Sequence, residues 1–449
     1  MTKKQKQPAD PVRQGALRIL NDFERRPRPL PEMIEENARR GQMSPIDQSF
    51  MQHLVYGVVR HREKLDSIIG KFVKRRDFTK NRMKANILRL GTLQLMPSSK
   101  VPKPAAINES IKLIRATLGD GLTGFVNAIL RRIADDSDRL FALGPNPETV
   151  DDMVIRYSQP KWLVEMLVSK YGMQKAGEYC SAFEERLPLS VRINTWKTTA
   201  EEFENELRVL NFEERRSELI DNYYYLPDGV DPKSLHLFSE GDCFAQNVSS
   251  GVVVELVDPQ PDSNVVDLCS APGGKATAMF LKTNGTAQIT ALDVDLRKTE
   301  HIKHNLNRLR LSGIRVGVAD ARRVEETGFD IVLVDAPCSG IGTLAKHPEI
   351  KYVQSPGNIR KLAGLQIEIL ENAAKILNIG GHLIYSVCTL SPDETDGVKE
   401  TFLKSHTNFN LELPDGFQYH RFVQDDKSIL IPPGDGLEGM YAFRARKMK

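Results

Sequence analysis

Long apolar runs are missing from this chain, which rules out a membrane-spanning helix of the usual ~18 or more apolar residues. The opening Met1-Thr2-Lys3-Lys4-Gln5-Lys6-Gln7-Pro8 has no apolar core for a signal peptide, so a cytoplasmic protein without membrane partners is expected. Cysteine is scarce, with five in 449 residues: Cys180, Cys243, Cys269, Cys338 and Cys388. Their number is odd, no two form a C-x-x-C pair, and no histidines sit beside them at ligand spacing. A disulfide framework and a zinc site are therefore both excluded, no metal is expected, and the thiols are read as reduced. Internal repeats and low-complexity segments are also lacking, and the chain is expected to act as a monomer.

Net charge is small as well, at +3, but it is unevenly spread. Residues 1–140 carry 28 Lys and Arg against 15 Asp and Glu, so the remainder is acidic. A basic end on a near-neutral chain suits a polyanion such as RNA. That end reads as all helix. Ser44-Pro45-Ile46-Asp47 combines a cap, a first-turn proline and an acid, and Ile46, Phe50, Leu54 and Val58 follow at four-residue spacing. Stripes at Met83, Ile87 and Leu90, and at Ile107, Ile111, Ile114 and Leu118, complete the pattern of a small bundle. Its cations cluster at Lys71, Lys74, Arg75, Arg76, Lys80, Arg82 and Lys84, candidates for phosphate contacts.

Phe141-Ala142-Leu143-Gly144-Pro145-Asn146-Pro147 reads as a linker. Three domains are expected: an all-α bundle over 1–142, a small α+β module over 148–237, and an α/β domain over 238–449. The module shows helical patterning through Tyr157–Tyr171 and Gln174–Glu185, strands at Leu189–Asn194 and Tyr223–Leu226, and a helix near Glu201–Leu210. In the last domain short apolar strands at Val265–Leu268, Ile289–Leu292, Arg315–Val318, Ile331–Val334 and His382–Ser386 alternate with helical stretches. Such alternation predicts a doubly wound, parallel sheet.

Chemistry gathers at the ends of those strands. Asp267-Leu268-Cys269-Ser270-Ala271-Pro272-Gly273-Gly274-Lys275 follows one strand and opens a helix, matching neither G-x-G-x-x-G nor G-x-x-x-x-G-K-[ST]. Asp293, Asp320 and Asp335 end the next strands, and four acids on one crevice imply a nucleoside-bearing cofactor, with Asp293 at its ribose. Asp335-Ala336-Pro337-Cys338 and Tyr385-Ser386-Val387-Cys388-Thr389 put thiols at the ends of two strands expected to be neighbours. Two thiols and an acid are what pyrimidine C5 chemistry requires: a thiolate adds to C6, an acid engages N3, and a base then removes the C5 proton. Cys269 is read as a packed thiol.

Those three motifs resemble the signature of the RNA cytosine-C5 methyltransferases of the Nol1/Nop2/Sun family. Pro104–Glu109 and Gly124–Arg132 are similar to the NusB-type domain of its bacterial 16S rRNA members, and Tyr157–Leu163 with Arg192-Ile193-Asn194 to their connecting module. The resemblance implies a Rossmann-like domain that uses S-adenosylmethionine to methylate a cytidine in RNA, 16S rRNA above all. It makes Cys388 the nucleophile, Cys338 the thiol assisting release, and Asp335 the group at cytosine N3. It also implies that Ser270, Ala271, Pro272, Gly273, Gly274 and Lys275 bind the cofactor with Asp293, Lys298, Asp320 and Asp335. RNA would meet Arg192, Asn194, Lys346, His347, Lys74, Arg75 and Arg76. Another RNA such as tRNA, or a non-catalytic assembly factor built on the same scaffold, are the alternatives. The latter has no need of the paired thiols.

Overall fold

The computed structural model describes residues 8–142, 144, 146–227, 230 and 232–449, without the side chains of Arg75, Arg76 and Lys233. Within these bounds the chain divides into two compact units. One comprises the residues up to Glu184 with His347–Ser355, the other Glu185–Lys346 with Pro356–Lys449.

The first unit is helical. Ser44 caps Pro45–Arg60, its hydroxyl accepting from Asp47 N at 3.2 Å. Leu54 and Val58 of the expected stripe are buried but Ile46 is 81% exposed. Residues four apart drift about 40° around a helix per step, so a stripe that ends in the core has rotated out of it three steps earlier. Met51, Val55 and Val59 share the buried face instead. Buried Arg89 is neutralised by both oxygens of Asp66, at 2.7 and 2.8 Å. The helix Lys161–Ala182 is interrupted at Gly172, where φ is +76°, between the two helical stretches expected from the sequence. Lys351, in the His347–Ser355 segment, donates to the carbonyls of Arg60 and Ser158 at 2.8 and 2.7 Å.

In the second unit three short strands, β1 (Leu189–Ile193), β2 (Tyr223–Leu226) and β3 (Cys243–Ala245), form an antiparallel sheet with β1 central. The helix Ala200–Val209 follows a reciprocal Thr199/Glu202 cap. The larger sheet contains β4 (Asn264–Asp267), β5 (Gln288–Asp293), β6 (Ile314–Val318), β7 (Phe329–Asp335), β8 (Leu377–Val387), β9 (Phe409–Leu411), β10 (Ile429–Ile431) and β11 (Met440–Lys447). Its order is β10-β11-β8-β7-β4-β5-β6, with β9 beside β11. The five strands expected from the sequence are the parallel ones. The sheet as a whole is mixed, because β11 runs antiparallel to β8 and also carries β9 and β10.

Alternate residues of the central strands enter opposite layers. Val265, Ile331 and Leu333 pack on one side, Val266, Val332 and Val334 on the other. Burying each such side chain contributes roughly 1.5–3 kcal/mol, which is why both faces are branched and apolar. From β4 the connections proceed outward in both directions, to β5 and β6 on one side and to β7 and β8 on the other. That reversal opens a crevice at the carboxyl ends of β4 and β7.

Candidate active site

Beyond Asp267 the chain leaves β4, and Ser270 N is fixed by Leu292 O at 2.8 Å. Gly273 adopts φ +96° and starts the helix Gly274–Lys282. A Cβ at Gly273 would lie 3.2 Å from Ile302, and one at Gly274 would lie 3.2 Å from Phe244, so glycine keeps this loop close to its neighbours. The N-terminal N–H groups of that helix favour an anionic ligand group. Beneath the loop, Asp267 is fully buried, and among the described residues no hydrogen bond of ordinary geometry reaches its oxygens, only weaker approaches of the Ser270 hydroxyl and the Cys269 N–H. Burial, then the nearby Asp335 charge, pushes the Asp267 carboxyl up to about 7. A buried carboxylate so weakly satisfied under a glycine cradle fits the amino-acid end of S-adenosylmethionine.

Asp293 closes β5, 5% exposed, and accepts from Asp295 N at 3.1 Å. Ala319 N donates to Asp293 O at 3.0 Å, so Asp320 follows two residues after β6, close to the end of β5. Both Asp320 oxygens are held by Arg322, and the hydrogen bonds from that side chain lower the carboxyl to about 2. Lys298 is exposed. Cys269 is half-buried, and burial pushes its thiol up.

The register of β7 and β8 pairs Asp335 with Ser386. Ser386 Oγ donates to Asp335 Oδ1 at 2.6 Å, and Lys275 Nζ reaches Oδ2 at 2.7 Å. Burial works against the Lys275 ammonium, but the Asp335 carboxylate outweighs it and holds the pKa above its ordinary value. Just past these strands, Cys338 Sγ and Cys388 Sγ lie 3.3 Å apart, both half-buried. The hydrogen bond from the neighbouring thiol, then burial, raises the Cys338 pKa well above the ordinary range. Sequence reasoning assigned Lys275 to the cofactor loop and missed its pairing with Asp335, which only the register of β4 beside β7 makes visible.

The RNA residues fare differently. Arg192 is 5% exposed and donates to Gln246 Oε1 at 2.7 Å, Gly274 O at 3.0 Å and Thr277 Oγ1 at 2.8 Å. Asn194, 1% exposed, donates to the carbonyls of Gly241 and Leu309 at 2.9 and 2.8 Å. Both are interior clamps, and the expectation that they touch RNA is corrected: β1 and the residue that follows it turn these side chains inward, where both Arg192 Nη groups and Asn194 Nδ2 are taken up by protein acceptors. Lys346 pairs with Glu438 at 2.7 Å. In the helical unit the His347 side chain is 46% exposed, 3.6 Å from Glu349, and Lys74 is exposed. Arg75 and Arg76 side chains lie outside the described residues. Among the described residues no group of three or more His, Cys, Asp or Glu could hold a metal ion, and no helix is long and apolar enough to cross a membrane.

Three family models match. Residues 254–446 match the 16S rRNA methyltransferase RsmB/F family, residues 10–135 the NusB family, and residues 159–230 a ferredoxin-like domain of RsmF/B-like methyltransferases. The chain is 31% identical over 410 residues to a probable ribosomal RNA small subunit methyltransferase B of Synechocystis, covering 89% of this chain and 91% of that protein. It is 29% identical to the corresponding Bacillus subtilis protein, covering 97% and 98%. Among solved structures, the one described as PH0851 superposes with a TM-score of 0.77 at 23% identity, covering 99% of this chain and 100% of that one. NSun6 from Pyrococcus horikoshii gives 0.58 at 20% identity, covering 65% and 98%.

Proposed function

This chain belongs to the ribosomal RNA small subunit methyltransferase B family, and we propose that it methylates C5 of a cytidine in 16S rRNA through a covalent adduct with Cys388. It is an RNA methyltransferase that uses S-adenosylmethionine, which supplies an electrophilic methyl group when bound. The observation that carries the C5 reading is the 3.3 Å approach of Cys338 and Cys388 beyond the Asp335–Ser386 register pair. Amino-group methylation has no use for two thiols at such a rim.

The Cys388 thiolate adds to C6 of a cytidine flipped out of the RNA, and the electron pair displaced from C6 moves onto the ring. Asp335, ion-paired with Lys275, faces N3 and passes a proton from the Lys275 ammonium to it only as the displaced electron pair arrives there, which makes C5 nucleophilic. After C5 has been alkylated, Cys338 takes the C5 proton as thiolate, the C6–S bond breaks, and Cys388 leaves as thiolate. Gly273, Gly274, Asp267 and Asp293 would hold the cofactor, the weakly satisfied Asp267 carboxylate being the acceptor suited to a cationic amine. Five free cysteines suit a reducing cytoplasm.

The test is product analysis. Unmodified small-subunit rRNA incubated with the protein and labelled S-adenosylmethionine should yield labelled 5-methylcytidine after digestion to nucleosides. Label in any other nucleoside overturns the reading.

A further inference from the structure

Cys338 and Cys388 sit on separate loops, and nothing in strand pairing alone keeps them together. The parallel ladder ends at Asp335 and Ser386, after which Ala336 N to Ser386 O, at 2.9 Å, and Gly342 N to Cys388 O, at 3.0 Å, tie the two backbones. The side chains that follow each thiol converge instead on one carboxylate. Ser339 N donates to Glu394 Oε1 at 2.8 Å, and Thr389 Oγ1 lies 3.4 Å from Glu394 Oε2. Ser339 Oγ and Thr389 Oγ1 are 2.7 Å apart, so a chain of donors runs from the serine through the threonine to the acid. Gln366 Nε2 donates both to Glu394 Oε1, at 3.0 Å, and to Pro337 O, at 2.9 Å. Tyr385 OH closes the cluster, 2.9 Å from Gln366 Oε1 and 2.7 Å from Glu394 O. Glu394, Thr389, Gln366 and Tyr385 are fully buried and Ser339 is 1% exposed.

We propose that Glu394 is the positioning residue of the reaction, clamping the loops that carry Cys338 and Cys388 so that both thiols address one pyrimidine. This deepens the methyl-transfer reading and rests on it. A buried carboxylate costs free energy unless its oxygens are taken up, and here every donor that satisfies it belongs to a cysteine loop or to the helix and strand behind them. A simple packing role would be filled better by an apolar side chain of similar size. The carboxylate has a second effect: after the neighbouring Cys388 thiol and burial, its nearby charge adds to what disfavours the Cys338 thiolate.

Two readouts test this, one independent of methyl transfer. Diamide joins adjacent thiols: each thiol gives up a proton and an electron, one S–S bond forms, and the diazene is reduced to the hydrazine. In the wild-type chain Cys338 and Cys388 should couple fast, measured by mass spectrometry of the linked peptides. Glu394→Ala should slow coupling at least ten-fold and lower kcat by ~10–100-fold, with KM for S-adenosylmethionine within two-fold. Glu394→Gln, which keeps an acceptor but loses the charge, should recover most of the coupling rate and move the kcat–pH profile toward lower pH. Thr389→Val serves if Glu394→Ala does not fold, and should slow coupling about three-fold or more. Wild-type coupling rates in Glu394→Ala, or in Thr389→Val if that variant alone folds, overturn the clamp. Normal coupling behaviour in a wild-type protein that makes no 5-methylcytidine overturns only the methyl-transfer reading.

Discussion

Cys338 Sγ faces Cys388 Sγ across 3.3 Å, although 50 residues separate the two in sequence. A single flipped base can therefore meet both sulfurs, one at C6 and the other at the C5 proton. The two substitutions should have opposite consequences. Cys388→Ala removes the bond-forming sulfur and should abolish methylation with no RNA retained. Cys338→Ala leaves addition and alkylation intact but removes the base for release, so RNA should stay attached and appear as a slow band on a denaturing gel. If the bands appear in the reverse pattern, the two roles are exchanged.

Lys275 and Asp335 form the second pair, and its geometry separates catalysis from stability. The Lys275 side chain is 9% exposed and that of Asp335 31%. Removing one partner leaves a largely desolvated charge, costing about 2 kcal/mol once the partial exposure of Asp335 is allowed for. Lys275→Met and Asp335→Asn should each lower the melting temperature and reduce kcat at least ~100-fold. The double variant should melt closer to wild type than Lys275→Met does, while remaining inactive. Additive melting losses would mean that the pair is not coupled.

Much of this site was legible because parallel strands buried on both faces announce themselves as branched apolar runs that stop at polar residues. Ile331–Val334 followed by Asp335 and Cys338 is the clearest case, and the structure ends β7 at Asp335. What escaped reading depended on neighbours in space. Met440–Lys447 mixes aromatic, small and cationic residues, so nothing in its local pattern reveals a strand whose first six residues are buried. Arg192 and Asn194 look like surface ligands in sequence. Only the packing around β1 shows that Arg192 Nη1 and Asn194 Nδ2 are spent on Gln246, Gly274, Gly241 and Leu309. Glu394 lacked any signal, because its partners come from three other elements.

The correction at Arg192 carries its own test against Lys74. Arg192→Met strips hydrogen bonds from Gln246, Gly274 and Thr277 in a closed interior, and should cost about 2–4 kcal/mol of stability, read as a lower denaturant midpoint. The dependence of RNA affinity on salt should not change. Lys74→Ala, at an exposed position, should leave the midpoint unmoved and reduce the slope of log K against log salt by up to ~1. A reduced slope in Arg192→Met would restore it as a phosphate contact.

Asp267 gives the strongest dependence on pH. Burial first, and Asp335 second, raise its carboxyl from 3.8 to about 7 in the folded chain. Because the folded value lies above the unfolded one, the unfolded state ionises first as pH rises. The ligand-free protein loses stability from about pH 4 to pH 7, and above that the loss is constant at about 4 kcal/mol, an upper figure. Asp267→Asn escapes this penalty. Its melting temperature should exceed that of wild type at pH 8, and the gap should close as pH falls toward 4. Binding should move the other way, since a cationic amine is held by the ionised carboxylate. Wild-type affinity for S-adenosylmethionine should increase as pH rises through 7, and Asp267→Asn should bind it at least ~10-fold more weakly at pH 8. Calorimetric titration across that range decides the matter, and a variant that is both less stable and equally tight at pH 8 would remove Asp267 from the cofactor site.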